Sequence, residues 1–381
     1  MESKRSELHN LEEDHFRFLR RFRPQIYWII CLQNNLLRWI FKGINFKTYN
    51  PSTKLQNEKK NYVFVSRNFN QSNLGHIENL IVNFERVNQV KVLHEVRFGN
   101  KLFGNAKWLR KVVTKYNPSH IVILDPQLIG LPGVLGLISL FRMYKVTVKN
   151  NVKVALILFD LHDPQGVLFS FICSKIGIDT TYICSTGQEA KKYFGVNNAQ
   201  GPSIESVIED VDEFKTFSDK KFDLHLPRPS YEPRKTVVEN IISKVNKSSL
   251  DIKYTVGGNF IDYRELRNSL NLTKIVIVTN SIIEGVIGHF PLPGGPNRQL
   301  VSYNAEALSS GALLIAQKCE ALYEVFQPYI HFIPFDNADE AFELFLRYHN
   351  NPEAEIIARK GHEKFVELWK TQTLLSLDQT I

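Results

Sequence analysis

Two oppositely charged residues, Arg298 and Glu306, lie in one stretch whose composition is typical of an anion-binding site. The stretch begins with the loop PLPGGPN, in which glycine and proline allow backbone N–H groups to approach a ligand closely. A run with helical spacing follows over Gln299–Ser309, so Arg298 is expected at a helix start. A helix start has unpaired N–H donors and about half a positive charge, which together attract a phosphate group.

Glu306 is expected about two helical turns further on, facing a similar direction. Its neighbours are small or apolar, which predicts partial burial, and a buried carboxylate needs hydrogen-bond donors. The hydroxyl groups of a ligand would supply such donors, whereas an ordinary solvated glutamate is the structural alternative. Gly311 occupies the place of a glycine just past a helix end. The following ALLIA is typical of a strand buried in a parallel sheet.

Other groups of the same stretch could contribute to the anion site. Arg298 could bind a phosphate through two parallel hydrogen bonds. An internal salt bridge, with Glu306 as a candidate partner, is the alternative. The glycines Gly294 and Gly295 and the amide of Asn297 would offer further donors, although a Gly-Gly pair is equally typical of an ordinary turn.

Three residues in the first half of the chain are candidates for a general base. His76 belongs to the loop that follows the apolar strand YVFVS, and the unperturbed pKa of histidine is near the working pH. Asp160 and His162 come at the carboxyl end of the apolar run VKVALILFD. Each has a structural alternative, since loop histidines are common and an aspartate at a strand end can cap the next helix.

Strands and helices alternate with short connections from Tyr62 onward. This pattern predicts an α/β fold with two Rossmann-like domains, each a parallel sheet covered on both faces. The expected division is a basic amphipathic helical segment and linker over 1–60, a first domain over 61–215 and a second over 216–381. Ligands of such sheets bind beyond the carboxyl ends of the strands, where the candidate residues above are placed.

Composition limits the classes of partner. The chain has 381 residues and a net charge of +8, which favours anionic ligands. No nucleic-acid-binding signature is found, so a nucleic acid is not expected as partner. The four cysteines are scattered, which predicts free thiols and a cytoplasmic location, and no metal-ligand spacing is present. The N-terminus has no signal-peptide pattern.

The segment over 15–47 combines bulky apolar residues with seven Arg and Lys residues and has no Asp or Glu. Pro24 is expected to divide it into two helices. A basic amphipathic helix with Trp28 and Trp39 suits the surface of an anionic membrane, which would make the protein peripheral. Packing onto the protein or a second subunit is the alternative. The segment is too polar and too short to favour a membrane span.

The sequence NAEALSSGALLI resembles the nucleotide-binding segment of the group 1 glycosyltransferases, and especially their CgeB-like, spore-maturation branch. The resemblance covers about residues 274–369 and implies the GT-B fold. In the family pattern E-x7-E, the second glutamate matches Glu306, which implies hydrogen bonds to the ribose of a sugar nucleotide. Arg298 replaces the first glutamate, which suggests a diphosphate contact. Tyr303 and Asn304 belong to the same matched segment and are included in the predicted nucleotide site.

The family also has a basic pair after the first strand of the second domain, and Arg228 stands at about this place. A diphosphate contact is the implied role, and an ordinary surface turn is the alternative. The implied activity is transfer of a sugar from a nucleotide diphosphate-sugar to a glycan, lipid-linked or protein acceptor. The donor is a co-substrate, and no cofactor is expected. No metal is expected either, because the cations and the helix dipole would stabilise the leaving diphosphate.

Two other functions are compatible with the same residues. A sugar-nucleotide 2-epimerase shares the GT-B fold and would need several acids and a histidine across the cleft. A membrane-associated scaffold with a vestigial nucleotide site would explain the arginine at the first position of E-x7-E. Binding of UDP, GDP or CMP distinguishes the enzymes from the scaffold.

Overall fold

The computed structural model describes residues 36, 62–67, 74–97, 105–124, 134–160, 179–184, 199–227, 232–257, 263–281 and 298–372. In these ranges the chain forms two all-parallel sheets with helices between the strands. The predicted α/β fold is therefore confirmed. Apart from Leu36, the N-terminal segment over 15–47 lies outside the described residues.

The first sheet has the strand order β2-β1-β3-β4-β5-β6. Its strands are β1 (Tyr62–Arg67), β2 (Val92–Arg97), β3 (His120–Leu124), β4 (Lys153–Asp160), β5 (Asp179–Cys184) and β6 (Ala199–Gln200). The helices described between them are α1 (Leu74–Asn88), α2 (Asn105–Tyr116) and α3 (Val134–Lys149).

Side chains along each strand of this sheet alternate between its two faces, and different helices cover the two faces. Tyr62 and Phe64 point to one face, where their rings contact Phe84 of α1 edge to face. Val63 and Val65 are buried on the opposite face. In the strand order β2-β1-β3-β4, the chain moves in one direction along the sheet from β1 to β2, and in the other direction from β2 to β3 and on to β4. Right-handed crossovers therefore place α1 on the first face and both α2 and α3 on the second.

The second sheet has the order β11-β10-β9-β7-β8. Its strands are β7 (Phe222–Pro227), β8 (Tyr254–Gly257), β9 (Thr273–Val278), β10 (Leu313–Gln317) and β11 (Ile333–Phe335). The helices are α4 (Arg234–Lys247), α5 (Tyr263–Asn271), α6 (Ser302–Ser309), α7 (Glu320–Val325), α8 (Ala338–Tyr348) and α9 (Pro352–Thr371).

The central strands of the second sheet are buried on both faces, as expected from their nearly continuous apolar sequences. Ile275 and Ile277 of β9 pack in one core with α4 and α8. Val276 and Val278 pack in the other core, which includes α5 and α6. The helix α6, which carries the predicted nucleotide-binding residues, therefore lies on one defined face of this sheet.

The two sheets are joined by residues 201–221, which include a short 3-10 helix over Ile204–Val207. Asn83 of α1 and Trp369 of α9 both donate a hydrogen bond to the carbonyl of Ile208, at 2.7 and 2.9 Å. The guanidinium of Arg86 stacks on the Trp369 ring, 3.9 Å from its centroid. The last helix of the second sheet is thereby fixed to the first helix of the other sheet.

Candidate functional site

Helix α6 begins at Ser302, with Val301 at the N-cap position, and not at Gln299 as the apolar spacing predicts. The chain is still extended before it, because the N–H of Gln299 donates to the carbonyl of Asn280 at 2.7 Å. Arg298 forms an isolated antiparallel bridge with Ser281. The placement of Arg298 at a helix start is therefore wrong, and its guanidinium gains nothing from the helix dipole.

The end of α6 is as predicted. Gly311 has a φ of +65°, the left-handed conformation that a helix C′ residue adopts. A Cβ at this position would lie 2.8 Å from a ring carbon of Phe214. The strand that follows, β10, is completely buried and pairs with β9 and β11. Helix α6 is thus held at both ends by the sheet.

Arg298 makes an internal ion pair, but its partner is Asp336 and not Glu306. One guanidinium nitrogen, Nη1, lies 2.8 Å from Oδ1 of Asp336 and 3.2 Å from the carbonyl of Lys318. The other, Nη2, is 3.3 Å from the Asp336 carbonyl. Hydrogen bonds from Lys318 and Arg298 lower the pKa of Asp336 below its usual range. A phosphate contact by Arg298 stays a prediction, and the phosphate would share the guanidinium with Asp336.

The carboxyl ends of β9 and β10 are connected by a buried amide network. The backbone N–H groups of Asn280 and Ser281 both donate to Oε1 of Gln317 at 3.0 Å. The Asn304 amide of α6 donates to Oδ1 of Asn280 at 2.9 Å and to the Val301 carbonyl at 2.8 Å. Asn304 therefore anchors the start of α6 to the sheet, and direct contact of its side chain with a nucleotide stays a prediction.

Glu306 is buried, with an exposed fraction of 2%, which confirms the burial expected from its neighbours. Two phenols lie near it, Tyr303 of its own helix and Tyr263 at the start of α5. Burial raises the pKa of both phenols above their usual range, and the negative charge of Glu306 raises it further. The buried carboxylate and the two half-buried phenols thus belong to one group on the α5–α6 side of the sheet.

His225 is a member of this group that the sequence reasoning missed. Its ring stacks on Tyr303, with the centroids 6.0 Å apart and Nε2 3.5 Å from the tyrosine hydroxyl. Its Nδ1 lies 2.8 Å from the hydroxyl of Thr255 on β8. Burial lowers the pKa of His225 to about 4, so the imidazole is neutral near pH 7. A histidine within the apolar run FDLHLP was the signal that could have found it.

Gly257, at the end of β8, allows Tyr303 to lie this close to the sheet. A Cβ at this position would be 2.8 Å from the Tyr303 hydroxyl and 3.3 Å from Nε2 of His225. The absence of a side chain at Gly257 therefore leaves the space that the Tyr303 hydroxyl occupies.

The first domain reaches the same region through α1. Asn79 of α1 lies near Tyr263 and donates a hydrogen bond to the carbonyl of Val207 at 2.9 Å. His76 lies one helical turn before Asn79, within α1 and not in the loop that the sequence predicts, because the helix begins at Leu74. Asp160 is the last residue of β4, at the carboxyl end of its strand as expected. Both candidate bases thus belong to the edge of the first sheet where ligands of such folds bind.

The remaining predicted site residues lie outside the described residues. They are His162, Asn297, Gly294, Gly295 and Arg228. Within the described ranges, no three His, Cys, Asp or Glu side chains are grouped as metal ligands. No described helix has the length and apolar character needed to cross a membrane. Cys319 is a buried free thiol, as expected, and burial raises its pKa to about 11.

A family model described as glycosyl transferase-like matches residues 234–374, a segment that contains both Arg298 and Glu306. It covers less than half of the chain. No curated protein matches the chain at a significant level.

Solved structures resemble nearly the whole chain. A glycosyltransferase from Rickettsia africae has a TM-score of 0.52 and 11% identity, with 85% of this chain and 98% of that chain covered. The Anabaena protein HepE, in complex with UDP and glucose, has a TM-score of 0.53 and 9% identity, with 84% and 98% covered. A sucrose-phosphate synthase from Thermosynechococcus elongatus has a TM-score of 0.50 and 9% identity, with 84% and 97% covered. At these identities the likeness is one of fold, and this chain has the GT-B fold.

Proposed function

We propose that the protein is a glycosyltransferase, which moves a sugar from a nucleotide diphosphate-sugar to an acceptor hydroxyl. The observation that carries this proposal is the buried carboxylate of Glu306, which lies near Tyr263 and Tyr303 inside the segment that matches the glycosyl transferase-like family. Helix α6 follows the connection from β9, so its start lies at the ligand-binding edge of the sheet.

Glu306 would bind the ribose of the donor. An ionised carboxylate accepts hydrogen bonds only, and the two ribose hydroxyls donate them, so the pairing is charge-assisted. The apolar surroundings of the carboxylate strengthen such bonds. Tyr303 would shape the wall beside the ribose, because His225 and Gly257 fix the position of its ring.

The leaving diphosphate would be stabilised by cations and backbone donors at the same edge. Arg298, Arg228 and the backbone of Gly294 and Gly295, together with Asn297, are the proposed contacts. Hydrogen-bond donors that are already oriented stabilise the negative charge that develops on the leaving oxygen. Arg298 is oriented in this way, because Asp336 and the Lys318 carbonyl fix the plane of its guanidinium.

The acceptor hydroxyl would be deprotonated from the first domain. His76, Asp160 and His162 are the proposed bases, and a base must lie within hydrogen-bond reach of the hydroxyl. The backbone positions of His76 and Asp160 are at the carboxyl edge of the first sheet. The resemblance implies a reaction without a metal cofactor.

We further propose that the segment over 15–47 holds the enzyme at an anionic membrane, where a lipid-linked acceptor would be found. Its cations and tryptophans are typical of interfacial helices. Flotation of the protein with anionic liposomes, compared with a variant that lacks residues 1–47, tests this. Equal flotation of the two proteins would reject the proposal.

A screen of sugar nucleotides tests the activity. UDP-glucose is the first donor to test, because the Anabaena protein of the same fold was solved with UDP and glucose. Slow hydrolysis that releases UDP and free sugar is the expected result for a transferase without its acceptor. Conversion of a donor into its epimer, without free sugar, would identify the epimerase. Absence of calorimetric binding to UDP, GDP and CMP would identify the scaffold.

A further inference from the structure

The sequence between Val96 and Phe159 is unusually basic. It contains ten Lys and Arg residues and a single acidic residue, Asp125. This stretch, with a net charge of +9, is one of two strongly basic parts of the chain, beside the segment over 15–47. It includes both helices α2 and α3, neither of which has an Asp or Glu.

The cations of these helices form one exposed surface, which we call the basic face. It consists of Lys107, Arg110, Lys111 and Lys115 from α2 and of Arg142, Lys145 and Lys149 from α3, all exposed. The spacings of three, four and seven residues place each set on one side of its helix. The opposite sides are buried against the first sheet through Leu109, Val112, Val113, Met143 and Val146.

The basic face is continuous, because α2 and α3 pack side by side on the same face of the first sheet. The α2 cations extend over ~12 Å from Lys107 to Lys115, at a rise of ~1.5 Å per residue. Adjacent helices are ~8–10 Å apart. Neighbouring cations of the face are therefore within about the Debye length of ~8 Å in physiological salt, so adjacent charges act on a partner together.

Among the residues that the structure describes, the second domain meets the first through α1 and not through α2 or α3. The helix that contacts the domain junction is α1, on the other side of the sheet, where Asn83 donates to the carbonyl of Ile208. Right-handed crossovers place α2 and α3 away from that junction. In the described part of the chain, the basic face therefore lies away from the domain junction, and its cations are exposed.

We propose that the basic face is a docking surface for an anionic lipid bilayer. Charge complementarity requires an anionic partner, and the face spreads its charges over two neighbouring helices of 12 and 16 residues, which suits an extended anionic surface. Ile138, with 38% of its surface exposed, lies one turn before Arg142 on the same side of α3. An exposed aliphatic residue in line with cations is typical of interfacial helices. Single-stranded nucleic acid is bound through exposed aromatics, whereas Trp108, Tyr116 and Tyr144 are half-buried here.

This surface is separate from the segment over 15–47, and it does not depend on the glycosyltransferase activity. If that activity holds, docking through α2 and α3 brings the acceptor-binding domain against the headgroups. The start of α2, which follows the carboxyl end of β2, would then lie close to a membrane-embedded acceptor.

The test compares two variants of the full chain that change the net charge equally. One variant reverses charges on the basic face (Lys107→Glu, Lys111→Glu and Lys145→Glu). The control reverses three exposed lysines of the second domain (Lys247→Glu, Lys360→Glu and Lys370→Glu). Each protein is sedimented with vesicles of phosphatidylcholine, with or without phosphatidylglycerol, and thermal unfolding confirms that the variants fold.

The wild type and the control should bind the phosphatidylglycerol vesicles in low salt and release them in high salt. The basic-face variant should bind at least ~tenfold more weakly, since each cation near an anionic surface strengthens binding ~fivefold. Equal binding of the two variants would overturn the proposal. So would binding of the wild type to a single-stranded oligonucleotide with no binding to the vesicles.

Discussion

The guanidinium of Arg298 lies 2.8 Å from the carboxylate of Asp336, at the carboxyl edge of the second sheet. Arg298 pairs with Ser281 just after β9, and Asp336 directly follows β11, so the two residues meet beyond the end of β10, where Lys318 contacts the same carboxylate. Two cations around one carboxylate leave a net positive charge at the edge where the donor phosphates are proposed to bind. The pair also holds the end of the long connection from β9 against the sheet.

Replacement of Arg298 distinguishes its proposed contact with the donor phosphates from its structural ion pair with Asp336. We expect Arg298→Ala to weaken the binding of UDP by about 1.5–3 kcal/mol, the usual strength of hydrogen bonds to a charged group. Asp336→Asn should not weaken binding, because the guanidinium is retained while one competitor for it is neutralised. Isothermal calorimetry measures both affinities. An unchanged affinity for UDP in Arg298→Ala, accompanied by a lower melting temperature, would show that Arg298 has only a structural role.

Replacement of Glu306 tests the ribose contact. Glu306→Ala should weaken the binding of the nucleotide by about 1–3 kcal/mol, the cost of leaving buried hydroxyl partners unpaired. A 2′,3′-dideoxy nucleotide should bind the wild type and the variant equally, since it lacks the hydroxyls. Glu363→Ala, an exposed glutamate of α9, is the matched control. Equal loss of affinity for the normal and dideoxy nucleotides would contradict the proposed contact.

Gly257 and Tyr303 form a pair that a double-mutant cycle can test. Gly257→Ala should destabilise the protein by about 1–3 kcal/mol, because the new Cβ would lie 2.8 Å from the Tyr303 hydroxyl. Removal of that hydroxyl in Gly257→Ala/Tyr303→Phe should recover part of the loss. Urea denaturation measures the four free energies of unfolding. Strict additivity would mean that the hydroxyl does not determine the position of the ring.

The buried carboxyl group of Glu205 should make the free energy of unfolding depend on pH. Burial raises its pKa to about 7 in the folded protein, from an unfolded value of 4.5, although Ser203 donates to it at 2.8 Å. Between these pH values the folded state binds more protons than the unfolded state, so stability falls as pH rises from 4.5 to 7.

Glu205→Gln should therefore be more stable than the wild type at pH 8, by about 3 kcal/mol for a shift of this size. The difference should disappear below pH 4.5, where the carboxyl is protonated in both states. Urea denaturation at several pH values measures it, with the exposed Glu209→Gln as the matched control. A difference between Glu205→Gln and the wild type that does not change with pH would contradict the assignment.

The sequence by itself determined the local elements and the fold class. Apolar runs such as KIVIV and ALLIA form the buried strands β9 and β10, because a strand covered on both faces has no exposed position for polar residues. Alternation with helices predicted two parallel sheets. Gly311 ended α6 as predicted, since its φ of +65° is unfavourable for residues with a side chain. The burial of Glu306 also followed from its neighbours.

Only the tertiary structure decided which side chains meet. Asp336 binds Arg298 across thirty-eight positions of the chain, and His225 meets Tyr303 across seventy-eight. Both contacts follow from the parallel order of β11, β10, β9 and β7, which brings distant strand ends to one edge. The start of α6 was likewise determined by the sheet, because Asn280 binds the backbone of Gln299 and keeps it extended. The spacing of apolar residues within one segment contains no information about partners in distant segments. The contacts of the candidate site were therefore decided by tertiary packing.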